Sequence, residues 1–272
     1  MSEPEQFYSE DDAKAEESLD PKQALALASV EKLIKQNPEK VFFSRQIEVQ
    51  NEREFFHWIT NRAIRELEGS LIQSELRPLR TGGSIKLLWN KSHRYYKRDA
   101  TDVVKLVEEY ADPNMGAALG RYGELMVLEG FAKKKFLLTG QGTAEHAGKK
   151  WTRTGHNLDF IFERDGRAYG IEVKNILPYM RQDEFRIKIE ICREIGVIPV
   201  FAVRMLPKTW INELVQKGGF ALIMKWQLNP FTHKDLARRV AKEFGLPVDA
   251  PQALQEGTVA RFLDWHKRKL VN

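Results

Sequence analysis

The sequence of 272 residues contains a single cysteine, Cys192. One thiol cannot form a disulfide within the chain, and it excludes a zinc site built from several cysteines. Its place in an apolar helical pattern predicts a buried structural thiol. Apolar runs stay well short of the ~20 residues that span a bilayer. The N-terminus is acidic, unlike a signal peptide. We therefore expect a cytoplasmic protein with no membrane association.

Charge is distributed unevenly along the chain. Residues 1–20 carry eight acids and one lysine, a net charge of −7, whereas the whole chain carries +5, so the remaining residues carry +12. The acidic segment is predicted to be disordered. The basic remainder suggests a polyanionic partner such as DNA. Two interpretations of residues 1–20 stay open: a screen for the basic surface, or a solvated leader without a role.

Residues 21–92 have the element order of a winged helix-turn-helix domain. Hydrophobic periodicity predicts helices over residues 24–35 and 52–68, with a short extended or helical piece between them. Alternating runs at 71–79 and 84–89 flank "RTGG" and predict a β-hairpin. We expect the second long helix to contact duplex DNA, although docking to a protein is the alternative. The expected DNA contacts in this domain are Arg53, Arg62, Arg65, Arg77, Arg80 and Lys86, and Asn61 is also expected to point outward.

Residues 93–115 are predicted to be a connector with one helix at 101–110. Residues 116–272 form the second predicted domain, a mixed α/β fold with a central sheet and two C-terminal helices at 234–244 and 258–270. Its core order is α-β-β-β-α-β: helix 117–134, strands 136–139, 157–163 and 168–174, helix 181–195 and strand 197–205. A strand, helix and strand in succession predict a crossover to a parallel neighbour. A further helix at 208–217 and a strand at 220–226 follow.

The stretch "NLDFIFERDGRAYGIEVKN" places charged residues inside two predicted strands. Alternate side chains of a strand share a face. Asp159 is therefore predicted to lie on the face opposite Leu158 and Phe160, and Glu172 and Lys174 share a face with Gly170, which removes bulk beside the acids. Antiparallel pairing would bring Asp159 close to Glu172 and Lys174.

Two carboxylates held close together repel each other unless a divalent cation lies between them. Oxygen ligands alone favour Mg²⁺, for which Mn²⁺ would substitute. Such an ion polarises a phosphoryl oxygen and lowers the pKa of bound water, and Lys174 could position that water. The pattern indicates metal-assisted hydrolysis of a phosphodiester. The alternative is a solvent-facing hairpin with ordinary charged residues.

Asp159, followed after twelve residues by Glu172-Val173-Lys174, resembles the signature of the PD-(D/E)XK nuclease superfamily, and the element order from 117 to 205 resembles its core. One departure is Leu158, where the family often has proline. The resemblance implies a restriction-endonuclease-like core and a Mg²⁺-dependent DNA endonuclease. It also implies a further metal-binding acid on the preceding helix, for which Glu124 is the first choice and Glu129 the second.

The implied settings are restriction or phage defence, and recombination or transposition with partner proteins. A homodimer is expected because cutting a duplex usually needs two active sites, and the C-terminal helices are candidates for that contact. The competing hypothesis is a DNA-binding or scaffold subunit whose nuclease-like core no longer cuts.

Other polar residues near the motif carry weaker signals. Asn175 and Gln182 could touch water or a phosphate, or could serve the loop and the helix start. His156 could act as a base or be incidental. Basic residues that could clamp the DNA backbone, with a solvated surface as the equal alternative, are Arg121, Lys149, Lys150, Arg153 and Arg181.

Overall fold

The computed structural model describes residues 21–271. The acidic segment predicted at residues 1–20 lies outside them. Within this range, no helix combines the length and apolar character needed to cross a bilayer. The described residues divide into two compact units. The first runs to Pro113 and includes Lys242–Leu246, and the second contains Asn114–Ala241 and the residues from Pro247 onward.

The first unit packs helices against a three-stranded antiparallel sheet of order β1-β3-β2. Apolar side chains of α1 and α3, among them Val30, Ile34, Ile59 and Ile64, form its core with Phe42 and Leu88 of the sheet. Its elements are α1 (Gln23–Gln36), β1 (Val41–Phe43), α2 (Ser44–Asn51), α3 (His57–Leu67), β2 (Ile72–Pro78), β3 (Ser84–Asn90) and α4 (Tyr96–Tyr110).

The hairpin β2–β3 is confirmed, and Gly82 and Gly83 adopt positive φ angles in its turn, a region that glycine enters without steric cost. The helix predicted over 52–68 begins only at His57. Residues 52–54 form the turn that follows α2, and this turn lets Phe55 enter the core.

The helix predicted at 101–110 begins earlier, at Tyr96, whose ring stacks on Trp89 with centroids 4.0 Å apart. It contacts β1 and β3 and lies within the first unit. Residues 242–246 belong to this unit as well. There Gln46 donates to the backbone oxygen of Phe244 at 2.9 Å, and Phe43 meets the Phe244 ring edge-on.

The second unit is mixed α/β, as predicted, around a five-stranded mixed sheet of order β10-β9-β8-β7-β4. Strands β8, β9 and β10 are parallel neighbours, and β4, β7 and β8 are antiparallel neighbours. Its elements are α5 (Pro113–Lys133), β4 (Leu137–Thr143), β5 (Glu145–His146), β6 (Lys149–Lys150), β7 (Leu158–Arg164), β8 (Arg167–Lys174), α6 (Gln182–Ile195), β9 (Ile198–Val203), α7 (Lys208–Gln216), β10 (Phe220–Ile223), β11 (Gln227–Leu228), α8 (Lys234–Phe244), β12 (Val248–Asp249) and α9 (Glu256–Val271).

Helices cover both faces of this sheet. On one face α5 and α9 contribute Met126, Val127, Phe131 and Phe262 to a core with Phe160, Phe162, Tyr169 and Ile171. On the other face Phe185 and Ile189 of α6 and Trp210 and Leu214 of α7 pack on Phe201 and Val203 of β9. Burial on both faces is typical of a central parallel strand, and β9 lies between β8 and β10 in the sheet.

The strand predicted at 136–139 extends further in the structure, because β4 continues to Thr143. It pairs with β7 as far as Leu158, across a bulge between Leu138 and Gly140. Pairing with β7 satisfies the backbone N–H and C=O groups of this segment. Its polar, glycine-bearing sequence does not show the alternation that would predict a strand.

The prediction that Leu158 and Phe160 share one face of the strand is wrong. Leu158 packs with Ile161 and Cys192 on the α6 side rather than beside Phe160. Its Cδ1 would lie 2.7 Å from a Cβ on Gly170, so Gly170 makes room for apolar side chains and not for the acids. The ladder between β7 and β8 begins at Phe160, so Leu158 lies beyond this regular pairing.

Candidate functional site

Asp159 and Glu172 lie at the same end of the β7–β8 hairpin. They are the next residues outward from the Phe160–Ile171 pair at which the ladder begins. Asp159 Oδ2 accepts a hydrogen bond of 2.6 Å from the Val173 backbone N–H. Glu172 is 2% exposed. A buried carboxylate needs compensating charge, and the structure supplies it from two lysines.

Lys188 and Lys174 contact different oxygens of Glu172. The Lys188 Nζ lies 2.5 Å from Oε2, and the Lys174 Nζ lies 3.2 Å from Oε1. Lys174 also pairs with Glu184 Oε1 at 2.7 Å. Lys188 also donates to the backbone oxygen of Asn157 at 2.5 Å. Lys174, the predicted catalytic lysine, therefore lies directly beside the acids.

Glu124 on α5 belongs to the same electrostatic environment. Burial, and then the negative charge of Asp159, raise the pKa of Glu124, and Lys174 opposes this shift. Glu129 instead pairs with Lys133 on the helix surface at 2.6 Å. Glu124 thus senses the charges of Asp159 and Lys174, whereas Glu129 is in a surface ion pair.

The carboxyl groups of the site hold their protons more tightly than usual. Burial, and then repulsion from Asp159, raise the pKa of Glu172 to about 7, against the opposing effect of both lysines. Burial also raises the pKa of Asp159. Burial lowers the pKa of Lys174, but its contacts with Glu184 and Glu172 outweigh this and raise it overall. Removing the protons from the acids is unfavourable without additional positive charge.

The donor set of this cluster suits a hard divalent cation. Four carboxylates (Asp159, Glu172, Glu124 and Glu184) and two ammonium groups leave a formal charge of −2 when all are ionised. Oxygen is the only donor type among the acids, which matches the preference of Mg²⁺. Across residues 21–271 no three or more His, Cys, Asp or Glu side chains are gathered into a ready-made metal cage.

Asn175 has a structural role in the loop that follows β8. It is buried, and its amide nitrogen donates to the backbone oxygens of Leu119 and Leu228 at 2.7 Å each, while Oδ1 accepts from Leu228 N at 2.6 Å. Both ends of the amide are thereby occupied, which favours the loop role over contact with water or phosphate. Asn175 thus fixes α5 and β11 beside the end of β8.

Two other weak candidates near the motif are Gln182 and His156. Gln182 is exposed at the first position of α6. The His156 ring is hydrogen-bonded to Thr154 at 2.9 Å.

Several basic residues expected to contact DNA near the site are engaged with acids. Arg153 pairs with Glu190 and Glu194 of α6 and lies over the Trp151 ring, and Arg181 pairs with Asp183. Lys150 lies 3.6 Å from Glu145, and Arg121 and Lys149 are exposed. Exposed ion pairs contribute ~0–1 kcal/mol each, so these side chains remain exchangeable for a phosphate partner.

The basic residues of the first unit show the same mixture. Arg53 lies in the turn before α3, Arg65 is exposed, and Arg62 lies 5.7 Å from the Trp58 ring. The prediction that Asn61 points outward is wrong, because its amide donates a hydrogen bond to Glu48 of α2 at 2.7 Å. Three others are in ion pairs: Arg77 with Glu75 at 2.9 Å, Arg80 with Glu108 at 2.7 Å and Lys86 with Glu68 at 2.6 Å.

Sequence reasoning missed Lys188 and Glu184. A signal for Lys188 was present, since Phe185, Ile189 and Cys192 share its face of α6 and are buried. A lysine on the apolar stripe of an amphipathic helix needs a buried partner. Glu184 gave no comparable signal, because acids are ordinary in the first turn of a helix.

Comparisons with protein families, with characterised proteins and with solved structures found no match to this chain.

Proposed function

We propose that this protein is a Mg²⁺-dependent DNA endonuclease that hydrolyses phosphodiester bonds. The observation that carries the proposal is that Asp159 and Glu172 lie at one end of the hairpin with Lys174 paired to Glu172, while the charge of Asp159 acts on Glu124 of α5. The element order of this unit, a helix before β4, β7 and β8 and then α6 and β9, supports a restriction-endonuclease-like core.

Asp159 and Glu172 would hold the ion, with Glu124 assisting. When bound, Mg²⁺ would polarise a phosphoryl oxygen and lower the pKa of a water molecule. Lys174 is 28% exposed, so its ammonium group can reach the solvent side of the site. There it would orient the attacking water and stabilise negative charge that develops on the phosphate. Glu184 would keep Lys174 charged and in place.

The first unit would act as a winged helix that binds duplex DNA through α3 and the hairpin β2–β3. The exposed Arg53 and Arg65, with Arg62, support this assignment. Cleavage of both strands would require a second copy of the chain. Restriction or phage defence, and recombination or transposition with partner proteins, are the settings we propose, in the cytoplasm.

The decisive experiment is plasmid cleavage by the full-length protein in MgCl₂. The wild type should nick or linearise the plasmid, whereas Asp159→Ala and Lys174→Ala should be inactive. Glu124→Gln should reduce cleavage, and the matched control Glu129→Gln on the same helix should not. Cleavage by the Asp159 and Lys174 variants at the wild-type rate would refute the proposal. Retained DNA binding without cleavage in any divalent ion would favour the scaffold hypothesis.

The role of the first unit is tested by the DNA affinity of an Arg62→Ala, Arg65→Ala double variant. We expect weaker duplex binding with a smaller dependence on salt, because fewer phosphates are neutralised. Unchanged affinity at every salt concentration would point to a protein-docking role.

A further inference from the structure

Lys188 is held more rigidly than Lys174. Its side chain is 6% exposed, and its ammonium group bridges Glu172 Oε2 and the Asn157 backbone oxygen at 2.5 Å each. Lys174 is shared between two carboxylates and is more exposed. It can leave Glu172 and remain paired with Glu184. Displacing Lys188 from Glu172 would leave an uncompensated buried charge.

This difference decides which Glu172 oxygen is available to a cation. Oε2 is bound by Lys188, whereas Oε1 faces the exchangeable Lys174. Asp159 is similarly restricted, because its Oδ2 accepts the Val173 N–H. Glu172 Oε1 and Asp159 Oδ1 are therefore the carboxylate oxygens that a cation can approach without meeting Lys188 or the Val173 N–H.

A pair of metal ions in a phosphodiesterase lies ~3.5–4 Å apart and shares carboxylate ligands. Two ions would bring four positive charges to a cluster whose formal charge is −2. They would also place one ion close to the fixed ammonium group of Lys188. One divalent ion balances the cluster, whereas a second would be repelled.

We infer that Lys188 permanently occupies one oxygen of Glu172 and thereby limits the site to a single divalent ion. The inference rests on the proposed function, and it makes Lys188 a positioning residue. It predicts one ion per chain and a cleavage rate that depends on Mg²⁺ with a Hill coefficient of one.

The test is isothermal titration of the full-length protein with Mn²⁺, alongside counting of bound Mn²⁺ by electron paramagnetic resonance. The wild type and Lys188→Arg should bind one ion per chain. Lys188→Met should bind two ions, with the first at least tenfold tighter, because a repelling charge is gone. Arg186→Met is the control, since it removes an exposed positive charge from the same helix. It should bind one ion with wild-type affinity.

Two ions in the wild type, or one ion in a folded Lys188→Met variant, would overturn the inference and leave the nuclease proposal standing. If Lys188→Met does not fold, Lys188→Gln provides the same test, since its amide retains a donor for Asn157. A wild type that binds no divalent ion and cuts no DNA would instead refute the proposed function itself.

Discussion

Gly123 controls how closely α5 approaches the end of β8. A Cβ at this position would lie 2.6 Å from Asn175 Cβ and 3.1 Å from its Cγ. Asn175 cannot move aside easily, because hydrogen bonds to Leu119 and Leu228 hold it. Relief to normal contact needs a shift of about 1 Å, and overpacking of this kind costs ~1–3 kcal/mol. The higher helix propensity of alanine offsets ~1 kcal/mol of that cost. We expect Gly123→Ala to lower the free energy of unfolding by up to about 2 kcal/mol.

Gly120→Ala is the matched control, because it lies on the same helix and nothing lies within 4 Å of its added Cβ. It should leave stability unchanged or raise it by about 0.4–1 kcal/mol. Urea denaturation of both variants measures the difference. Since Glu124 follows Gly123 directly, a 1 Å displacement should also reduce cleavage, by up to ~100-fold. If Gly123→Ala is as stable and as active as Gly120→Ala, the tight contact with Asn175 does not position the helix.

Four further predictions concern titratable groups. Because ion binding requires ionised Glu172, whose pKa is about 7, Mn²⁺ affinity should rise as the pH increases from 6 to 8; calorimetry that finds no pH dependence would contradict this. The buried His266 ring joins the Tyr169 hydroxyl at 2.6 Å and Asp165 at 3.0 Å, so Tyr169→Phe should lower the free energy of unfolding by ~1–3 kcal/mol in urea denaturation. The His266 contact lowers the pKa of Asp165. Asp165 therefore binds fewer protons in the folded than in the unfolded state. The stability that it contributes should be present above its unfolded pKa and lost as the pH falls through its folded pKa. Asp165→Asn should abolish this pH dependence of the free energy of unfolding. Finally, burial raises the pKa of the Cys192 thiol, so a thiol reagent should label it only after unfolding; rapid labelling of the native protein would contradict its burial.

Local patterns in the sequence were sufficient to predict many of the strands, helices and turns of the second unit. "RDGR" between alternating runs predicted the hairpin, and strand periodicity placed Asp159 and Glu172 at its open end. Gly196 ends α6 in a left-handed conformation with a backbone bond back to Cys192, as a helix C-cap glycine does. These features depend on residues close in the chain, so short-range stereochemistry determines them.

Prediction from local patterns failed where residues that are distant in the sequence pack against each other. The turn after α2 replaced the predicted start of α3 because Phe55 enters the core. Asn61 turned inward because the buried Glu48 on another helix accepts a hydrogen bond from its amide. Leu158 left its expected face to fill the space above Gly170. Such outcomes depend on the volumes and charges of neighbours far away in the sequence.

The sequence by itself determined that two carboxylates and a lysine lie together on a hairpin, since alternation and a tight turn are local consequences of residue type. Only the tertiary structure decided how those charges are balanced. Lys188 reaches Glu172 from α6, Asn175 hydrogen-bonds to the backbone of α5, and the charge of Asp159 acts on Glu124 of that helix. The physical reason is that a buried charge is stable only when groups close to it in space compensate it. The packing of helices on the sheet, rather than position in the chain, determines which groups those are.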